Sequence, residues 1–295
     1  MQELLTIVLP CYNEADNIPS FFPELLTFAH EKNFQVIAVN DGSSDQSAEL
    51  LADFAKTYPI LTVITHKLNR GYGAALKTGL FAVKTEFAIT IDADGQHRLS
   101  DVIKVFESIQ NTNADMIVGS RQNNQSGACR TLGKTLIKLF AKSLLKLPVK
   151  DLNSGMKCYR MSETREYLSL CPDTMAFSDV ILLLMVNDRK LVLETPIEVL
   201  ARTAGKSTIG LKSAINTFTE ILNLAVLLRP MTTFFRIGFI FILLGIGWGV
   251  FTYIRATTIT STGVMLMIFG FMCFALGLIG EQLTKLHKVT AKKEK

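Results

Sequence analysis

Cysteine, tryptophan and the common nucleotide-binding fingerprints are scarce or missing in this sequence. Its five cysteines are scattered and include no Cys-x-x-Cys pair, a pattern that fits a reducing compartment and offers no zinc-type site. The Gly-x-Gly pair at Gly71 and Gly73 follows the third predicted strand, whereas the Rossmann fingerprint follows the first, and a Walker lysine motif is missing. Dinucleotide-dependent redox chemistry and ATP hydrolysis are therefore disfavoured.

A strong excess of charge is also missing. The formal net charge is only +5 over 295 residues, and the basic excess lies largely beside two apolar runs near the C-terminus. Placed there, positive charge favours attraction to anionic lipid over binding of nucleic acid. We also expect no secretory leader, because residues 1–3 include no basic side chain and the apolar segment after them is too short.

The two apolar runs, residues 234–254 and 259–280, are almost free of charge. Each has about 20 residues, the length that spans a bilayer core, and Arg236 lies near the end of the first run, where its stem can snorkel to the interface. The runs predict a transmembrane hairpin; a buried helical pair in a soluble core is the alternative. Basic residues before the first run and in the tail predict that the N-terminal bulk and the tail are both cytoplasmic, at the plasma or inner membrane.

Strand-like and helix-like segments alternate up to about residue 120 of the sequence. Such alternation predicts βα units and an α/β fold with a mostly parallel sheet. The predicted strands are residues 4–10, 35–40, 60–65, 86–91 and 115–119. The predicted domains are an α/β domain over 1–207, a juxtamembrane interface helix over 208–231, the hairpin over 232–288 and a basic tail over 289–295.

Residues 130–150 form a basic amphipathic stretch within the predicted α/β domain. Lysine or arginine recurs there every four residues, with leucine, isoleucine and phenylalanine between the basic positions. This pattern predicts a helix that lies in a membrane interface. A surface helix with a solvated basic face is the alternative.

Two carboxylates, Asp92 and Asp94, come directly after the predicted strand at residues 86–91. They would lie at the carboxyl edge of the sheet, where α/β folds bind ligands, and two hard oxygen donors there suit Mg²⁺ or Mn²⁺ bridging a diphosphate. Asp-x-Asp alone can be any acidic turn. The turns that follow the neighbouring predicted strands strengthen the metal interpretation.

Polar turns close the first three predicted strands at the same edge. Asp41, in the second turn, can accept an N–H group from a nucleobase. In the third turn, Arg70 and Lys77 flank a helix start at Gly71, whose backbone N–H groups suit an anionic diphosphate. Each turn alone is more often a helix cap, but their joint placement predicts one nucleotide pocket.

The motifs Pro-x-Tyr-Asn-Glu, Asn-Asp-Gly-Ser-x-Asp, Asn-Arg-Gly-x-Gly-x-Ala and Asp-Ala-Asp-Gly-Gln-His, in this order, resemble the family 2 glycosyltransferases with the GT-A fold. Residues 151–157 and 202–207 resemble two elements of the polyprenyl-phosphate branch, which includes dolichol-phosphate mannose synthases and undecaprenyl-phosphate sugar transferases. With the hairpin, the resemblance covers nearly the whole chain. Asn40 and Met156 depart from a frequent aspartate and a frequent phenylalanine.

The resemblance implies a membrane-bound, metal-dependent, inverting glycosyltransferase. It would move one hexose-type sugar from a nucleotide diphosphate sugar to undecaprenyl or dolichyl phosphate, and a homo-oligomer is expected. We favour a UDP-sugar on general bacterial expectation, with GDP-mannose as the alternative.

The same resemblance implies roles for individual residues. Catalysis is expected from Asp92, Asp94 and Arg202, and binding of Mg²⁺ or Mn²⁺ from Asp92, Asp94 and Gln96. Nucleotide contacts are expected from Pro10, Tyr12, Glu14, Asp41, Arg70, Gly71, Lys77, Asp92 and Ala93. The acceptor phosphate is expected at Arg121, Arg130, Arg202 and Ser207.

Asp179 stands where a related transferase holds a general base, and a structural or positioning role is favoured here. One rival function is a processive polysaccharide synthase, whose Gln-x-x-Arg-Trp element is missing because the single tryptophan, Trp248, lies in the first apolar run. The other rival is a noncatalytic membrane scaffold, which would need no metal motif.

Overall fold

The computed structural model describes residues 4–121, 149, 151, 154–198, 226, 230–258 and 260–293. These residues fall into two compact units, an α/β unit and a pair of long C-terminal helices. The predicted interface helices at 130–150 and 208–231 lie almost entirely outside the described residues. Those helices and the predicted domain boundaries remain predictions.

The α/β unit begins with four βα repeats, as the sequence predicts. The strands are β1 Leu5–Cys11, β2 Gln35–Asn40, β3 Leu61–Thr65, β4 Phe87–Thr90, β5 Met116–Arg121, β6 Lys157–Arg160 and β7 Val192–Ile197. The helices are α1 Ile18–Glu31, α2 Ser47–Thr57, α3 Tyr72–Ala82, α4 Leu99–Thr112, α5 Met161–Leu168 and α6 Phe177–Asn187.

The strands form one seven-stranded sheet in the order β3-β2-β1-β4-β6-β5-β7. Neighbouring strands are parallel except where β6 pairs with β4 and with β5. The predicted α/β fold with a mostly parallel sheet is confirmed. Because β6 is antiparallel, it begins at the edge where β4 ends, and Thr90 pairs with Lys157.

Helices cover both faces of the sheet, which explains why β1 is apolar along most of its length. Ile7 and Leu9 join a core with residues of α1 and α4, including Phe22 and Phe106. Val8 points to the opposite face, towards α3. A Cβ on Gly79 of α3 would lie only 2.4 Å from Val8 Cγ1, so the glycine allows α3 to lie directly on β1.

The second unit consists of α7 Pro230–Ala256 and α8 Ser261–Lys293. A 26-residue segment of each helix is long and apolar enough to cross a membrane, and the most apolar 18-residue windows in the two segments have mean hydropathies of 2.1 and 2.3. Only 11% and 22% of the two apolar windows is buried, which does not fit core helices of a soluble protein. The first predicted span, residues 234–254, lies within α7, and the second, residues 259–280, overlaps α8 from Ser261 onward.

Glycines bring α7 and α8 close together. A Cβ on Gly238 would lie 2.5 Å from the Gly270 carbonyl oxygen, and one on Gly245 would lie 2.8 Å from the Gly263 carbonyl oxygen. These glycines are spaced by seven residues on each helix, so they recur on one side of it. Lipid tails are as apolar as leucine, and close backbone packing of this kind is a main source of helix association in a bilayer.

We predict that Gly238→Ala weakens the hairpin by about 1–3 kcal/mol, because the new methyl group meets backbone that must move away. Gly247→Ala is the matched control in the same helix, since a Cβ there meets nothing within 4 Å. Helix unfolding in a series of SDS and mild-detergent mixtures, followed by circular dichroism, measures both. Equal stabilities for the two variants would contradict this packing.

Candidate active site

The carboxyl edge of the sheet brings together the ends of β1 to β4. Asp41 N donates to Cys11 O at 2.8 Å, His66 N donates to Asn40 O at 2.9 Å and Ile91 N donates to Val8 O at 3.1 Å. These bonds extend the strand pairing one residue past the strand ends. The turns predicted to share one edge therefore do so.

Asp92 lies just after β4 with its carboxylate held from three sides. Tyr72 OH donates to Oδ1 at 3.0 Å, and His97 Nε2 lies 3.5 Å from Oδ2. Gly155 packs against the same carboxylate, since a Cβ there would lie 2.4 Å from Oδ2. The Asp92 side chain keeps 37% of its surface exposed, so the carboxylate is oriented but open to a ligand.

The pKa of Asp92 lies below its usual value. Burial raises it, but the hydrogen bond and charge of His97, the Tyr72 hydroxyl and the charge of Lys157 together lower it further than burial raises it. Asp92 is therefore held as a carboxylate at neutral pH, the form that binds a cation.

Lys157 is a fully buried cation at the start of β6. Its Nζ donates to Ser178 O at 2.8 Å, at the start of α6. Burial lowers the pKa of Lys157 to about 8, and the charges of Asp179, Asp151 and Asp92 oppose that shift. One ammonium group thus balances carboxylates from three separate segments, and the favoured structural or positioning role of Asp179 remains a prediction.

Arg121 and Asp151 form a bidentate ion pair beside this cluster. Arg121 Nε and Nη2 donate to the two Asp151 oxygens at 2.7 and 2.9 Å, and Asp151 N donates to Glu194 Oε1 at 3.0 Å. The Asp151 side chain is buried, whereas that of Arg121 is 39% exposed. Arg121, a predicted acceptor-phosphate residue, is thereby held in place while its side chain stays partly exposed.

Asp94 and Gln96 lie in a tight turn directly after Asp92. Gln96 N donates to Asp94 Oδ1 at 3.1 Å, and Gly95 has a φ of +71°, which favours glycine. Within the part of the chain that the structure describes, no three His, Cys, Asp or Glu side chains form a preformed metal cluster.

This donor set nevertheless fits Mg²⁺ or Mn²⁺. The predicted metal ligands are oxygen donors, and the Asp92 carboxylate stays partly exposed although Gly155 packs closely against it. Mg²⁺ is commonly held by one or two carboxylates together with the phosphates of its substrate. Asp92, Asp94 and Gln96 would supply the protein part of such a site.

Asp41 is buried and already holds several hydrogen bonds. Its Oδ1 accepts from His66 Nδ1 at 2.7 Å and from Arg70 N at 2.9 Å, and its Oδ2 accepts from Gly71 N at 2.8 Å. Its residue exposure is 2%. The structure therefore gives Asp41 a role in fixing the Arg70 turn, whereas its predicted contact with the base remains a prediction.

The start of α3 is covered by the loop between α5 and α6. Ala74 N donates to Asp173 O at 3.2 Å, and Lys77 Nζ donates to Cys171 O at 3.0 Å and pairs with the Asp173 carboxylate. A backbone N–H group at the start of α3 and the Lys77 ammonium, which the sequence predicts to bind a diphosphate, thus already have partners within the protein. The predicted contacts of Gly71 and Lys77 with the nucleotide remain predictions.

The turn after β1 is linked to the turn after β2 by side-chain hydrogen bonds. Glu14 N donates to Ser47 Oγ at 2.8 Å, and Ser44 N donates to Asn13 Oδ1 at 2.8 Å. Tyr12 is 47% exposed beside this linkage. Pro10 lies next to the last residue of β1, and Ala93 is buried beside Asp92. This group of predicted nucleotide-binding residues therefore shares the sheet edge.

Three predicted residues, Arg130, Arg202 and Ser207, lie outside the described residues, so their roles remain predictions. Conversely, sequence reasoning missed the contacts of Tyr72, His97 and His66. Tyr72 directly follows Gly71 in one of the motifs, and His97 ends the motif that begins at Asp92. Membership of these motifs was the signal in the sequence that could have pointed to both residues. For His66 the only signal was its place directly after a predicted strand.

Comparisons with known proteins agree with this arrangement. Residues 6–161 match glycosyl transferase family 2, and residues 229–286 match the GtrB C-terminal hairpin. An undecaprenyl-phosphate 4-deoxy-4-formamido-L-arabinose transferase of Edwardsiella ictaluri is 25% identical, with 97% of this chain and 90% of that protein covered. A dolichyl-phosphate beta-glucosyltransferase of Dictyostelium discoideum is 26% identical over 61% of each chain.

Solved structures support the fold. Glucosyl-3-phosphoglycerate synthase from Mycobacterium tuberculosis, in complex with Mn²⁺, uridine diphosphate and phosphoglyceric acid, superposes with a TM-score of 0.58 at 16% identity. The match covers 76% of this chain and 78% of that one. Because the family match extends over more than half of the chain and a separate match covers the C-terminal hairpin, the chain belongs to glycosyl transferase family 2, in the polyprenyl-phosphate branch that its sequence predicted.

Proposed function

We propose that this protein transfers a single sugar from a nucleotide diphosphate sugar to a polyprenyl phosphate at a membrane. The observation that carries the proposal is the accessible Asp92 carboxylate, held by Tyr72, His97 and Gly155 in a chain that ends in a GtrB-type hairpin. The named activities of the Edwardsiella and Dictyostelium relatives support the reaction type.

The acceptor explains why the site needs no dedicated general base. A phosphate monoester has a second pKa of about 6 and is largely dianionic at neutral pH, so its oxygen is already a nucleophile. The protein then has to orient the phosphate for in-line attack on the anomeric carbon, with inversion, and to stabilise the departing diphosphate. Asp179 beside Lys157 fits positioning of the cleft rather than proton removal.

Positive charge near Asp92 would stabilise the departing diphosphate. A divalent cation held by Asp92, Asp94 and Gln96 would neutralise the negative charge that develops on the leaving nucleotide. Arg70, exposed on a turn fixed by Asp41, would contact the same phosphates. Arg121, held by Asp151, is a candidate for the acceptor phosphate.

A uridine nucleotide is the favoured donor, with GDP-mannose as the alternative. The structurally similar glucosyl-3-phosphoglycerate synthase was solved with uridine diphosphate and Mn²⁺, which supports this choice through fold likeness alone. We further propose that the α/β unit and the C-terminal tail face the cytoplasm, where the basic residues outside the two spans are retained.

The direct test is release of nucleotide diphosphate by the full-length protein in detergent with Mn²⁺ or Mg²⁺. We expect release from a UDP-sugar or GDP-mannose only when a polyprenyl phosphate is present, and one sugar per lipid in the product. A growing glycan would instead favour a processive synthase. No release with any donor and lipid combination would favour a noncatalytic scaffold.

We predict that Asp94→Asn lowers turnover at least about a hundredfold while the fold remains intact, because a neutral amide is a poor ligand for a hard cation. Asp53→Asn is the matched control, since Asp53 lies in α2 with 72% of its side chain exposed and its carboxylate forms a surface ion pair with Lys56. Initial rates over a range of Mn²⁺ and Mg²⁺ concentrations measure both variants. Near-normal turnover of Asp94→Asn at saturating metal would exclude the ligand role.

We predict that Arg202→Ala impairs use of the lipid phosphate selectively, with the nucleotide-sugar Kd nearly unchanged. The expected loss in kcat/KM for the lipid is about tenfold or more, as for loss of a charge-assisted hydrogen bond. Arg202→Lys should restore only part, because lysine cannot bind a phosphate in bidentate fashion. Lys32→Ala is the control for loss of positive charge, because Lys32 is exposed directly after α1. Equal loss of affinity for both substrates in Arg202→Ala would show that Arg202 is not part of the acceptor site.

A further inference from the structure

His66 is a buried histidine that none of the predicted site roles includes. It directly follows β3, and its backbone N donates to Asn40 O at 2.9 Å. Only 7% of its side-chain surface is exposed. Both of its ring nitrogens have partners, so the imidazole occupies one defined orientation.

The two ring nitrogens join Asp41 to α3. Nδ1 lies 2.7 Å from Asp41 Oδ1, and Nε2 lies 2.9 Å from Thr78 Oγ1. Because a carboxylate only accepts hydrogen bonds, Nδ1 carries the hydrogen and donates to Asp41. The imidazole thus connects the end of β2 with the middle of the helix that follows the Arg70 turn.

The turn between His66 and α3 is held at both ends by this connection. Asp41 accepts the backbone N–H groups of Arg70 and Gly71 at 2.9 and 2.8 Å. Gly42, with a φ of +66°, lies so close to the turn that a Cβ would come within 2.5 Å of Asn69 N. The backbone of the turn is therefore fixed, while the Arg70 side chain projects to the surface.

We infer that His66 is a positioning residue for nucleotide binding: it holds Asp41 against the Arg70 and Gly71 amides and so fixes the turn that presents Arg70 to the diphosphate. This inference rests on the proposed function for the identity of the ligand. An ordinary core histidine would stabilise the fold without any selective effect on the nucleotide. The two alternatives differ in what happens when only one of the two ring contacts is removed.

The substitutions His66→Asn and His66→Gln test the two ring contacts separately. Asn places an N–H group near the position of Nδ1 and can keep the bond to Asp41, whereas Gln reaches towards Nε2 and Thr78 and leaves Asp41 without this donor. His66→Leu removes both contacts. His30→Leu is the matched control, because His30 is exposed in the last turn of α1.

The first measurement is hydrogen exchange of the peptide containing residues 67–73 in the full-length protein, without ligand. Exchange reports local opening of backbone hydrogen bonds. We expect at least about tenfold faster exchange in His66→Leu and His66→Gln, a rate within about threefold of the unmodified protein in His66→Asn, and no change in His30→Leu. Unchanged exchange in His66→Leu and His66→Gln would overturn the inference whatever the ligand is.

The second measurement is the Kd for uridine diphosphate and guanosine diphosphate with Mn²⁺, by calorimetry, together with the KM for polyprenyl phosphate. We expect His66→Leu and His66→Gln to weaken nucleotide binding about tenfold, with the lipid KM unchanged and the affinity largely restored in His66→Asn. Thr78→Val, which removes the Nε2 partner in a similar shape, should have a smaller effect and serves if His66→Leu fails to fold.

The outcomes separate the inference from the proposed function. Faster exchange with normal nucleotide affinity would overturn the positioning role and leave the proposed function standing. Equal weakening for nucleotide and lipid would also overturn it, since a general structural role would have that result. An unmodified protein that binds neither nucleotide would overturn the proposed function and the inference together.

Discussion

A carboxylate at the end of β4 has to remain charged, oriented and accessible at once, and much of the α/β unit serves this requirement. Asp92 is stabilised by a hydroxyl from α3, an imidazole from the turn after it and the charge of the buried Lys157. Each of these groups comes from a different element. Asp92 therefore acquires all of its stabilising partners only when α3, the turn after β4 and the antiparallel β6 have all packed in their final positions.

Lys157 shows how this charge is kept compatible with folding. A buried ammonium is unfavourable on its own, but three surrounding carboxylates and the Ser178 carbonyl offset the loss of water. The carboxylates in turn avoid mutual repulsion because the cation lies among them. Arg121 extends the network towards the surface through its ion pair with Asp151, which holds the guanidinium in one orientation.

Glycine has a comparable role in both units, although the surrounding medium differs. In the α/β unit, Gly155 and Gly79 let a carboxylate and a strand approach the neighbouring backbone. In the hairpin, heptad-spaced glycines let α7 and α8 approach each other where burial of apolar surface contributes little to association. In both places the absence of a side chain permits a contact that any Cβ would prevent.

The sequence by itself determined the family, the α/β architecture, the two apolar spans and the common sheet edge of the motifs, because these follow from periodicity, run length and residue order along the chain. Only the tertiary structure decided the partners of each side chain. Nothing local in the sequence shows that His66 meets Asp41, that Lys157 serves three carboxylates or that the Asp173 loop covers the start of α3. The contact of His66 with Asp41 follows from the pairing of β2 with β3. The other contacts join residues up to about a hundred positions apart, and they exist because β6 inserts antiparallel between β4 and β5 and the chain then returns through α6 to the same edge of the sheet.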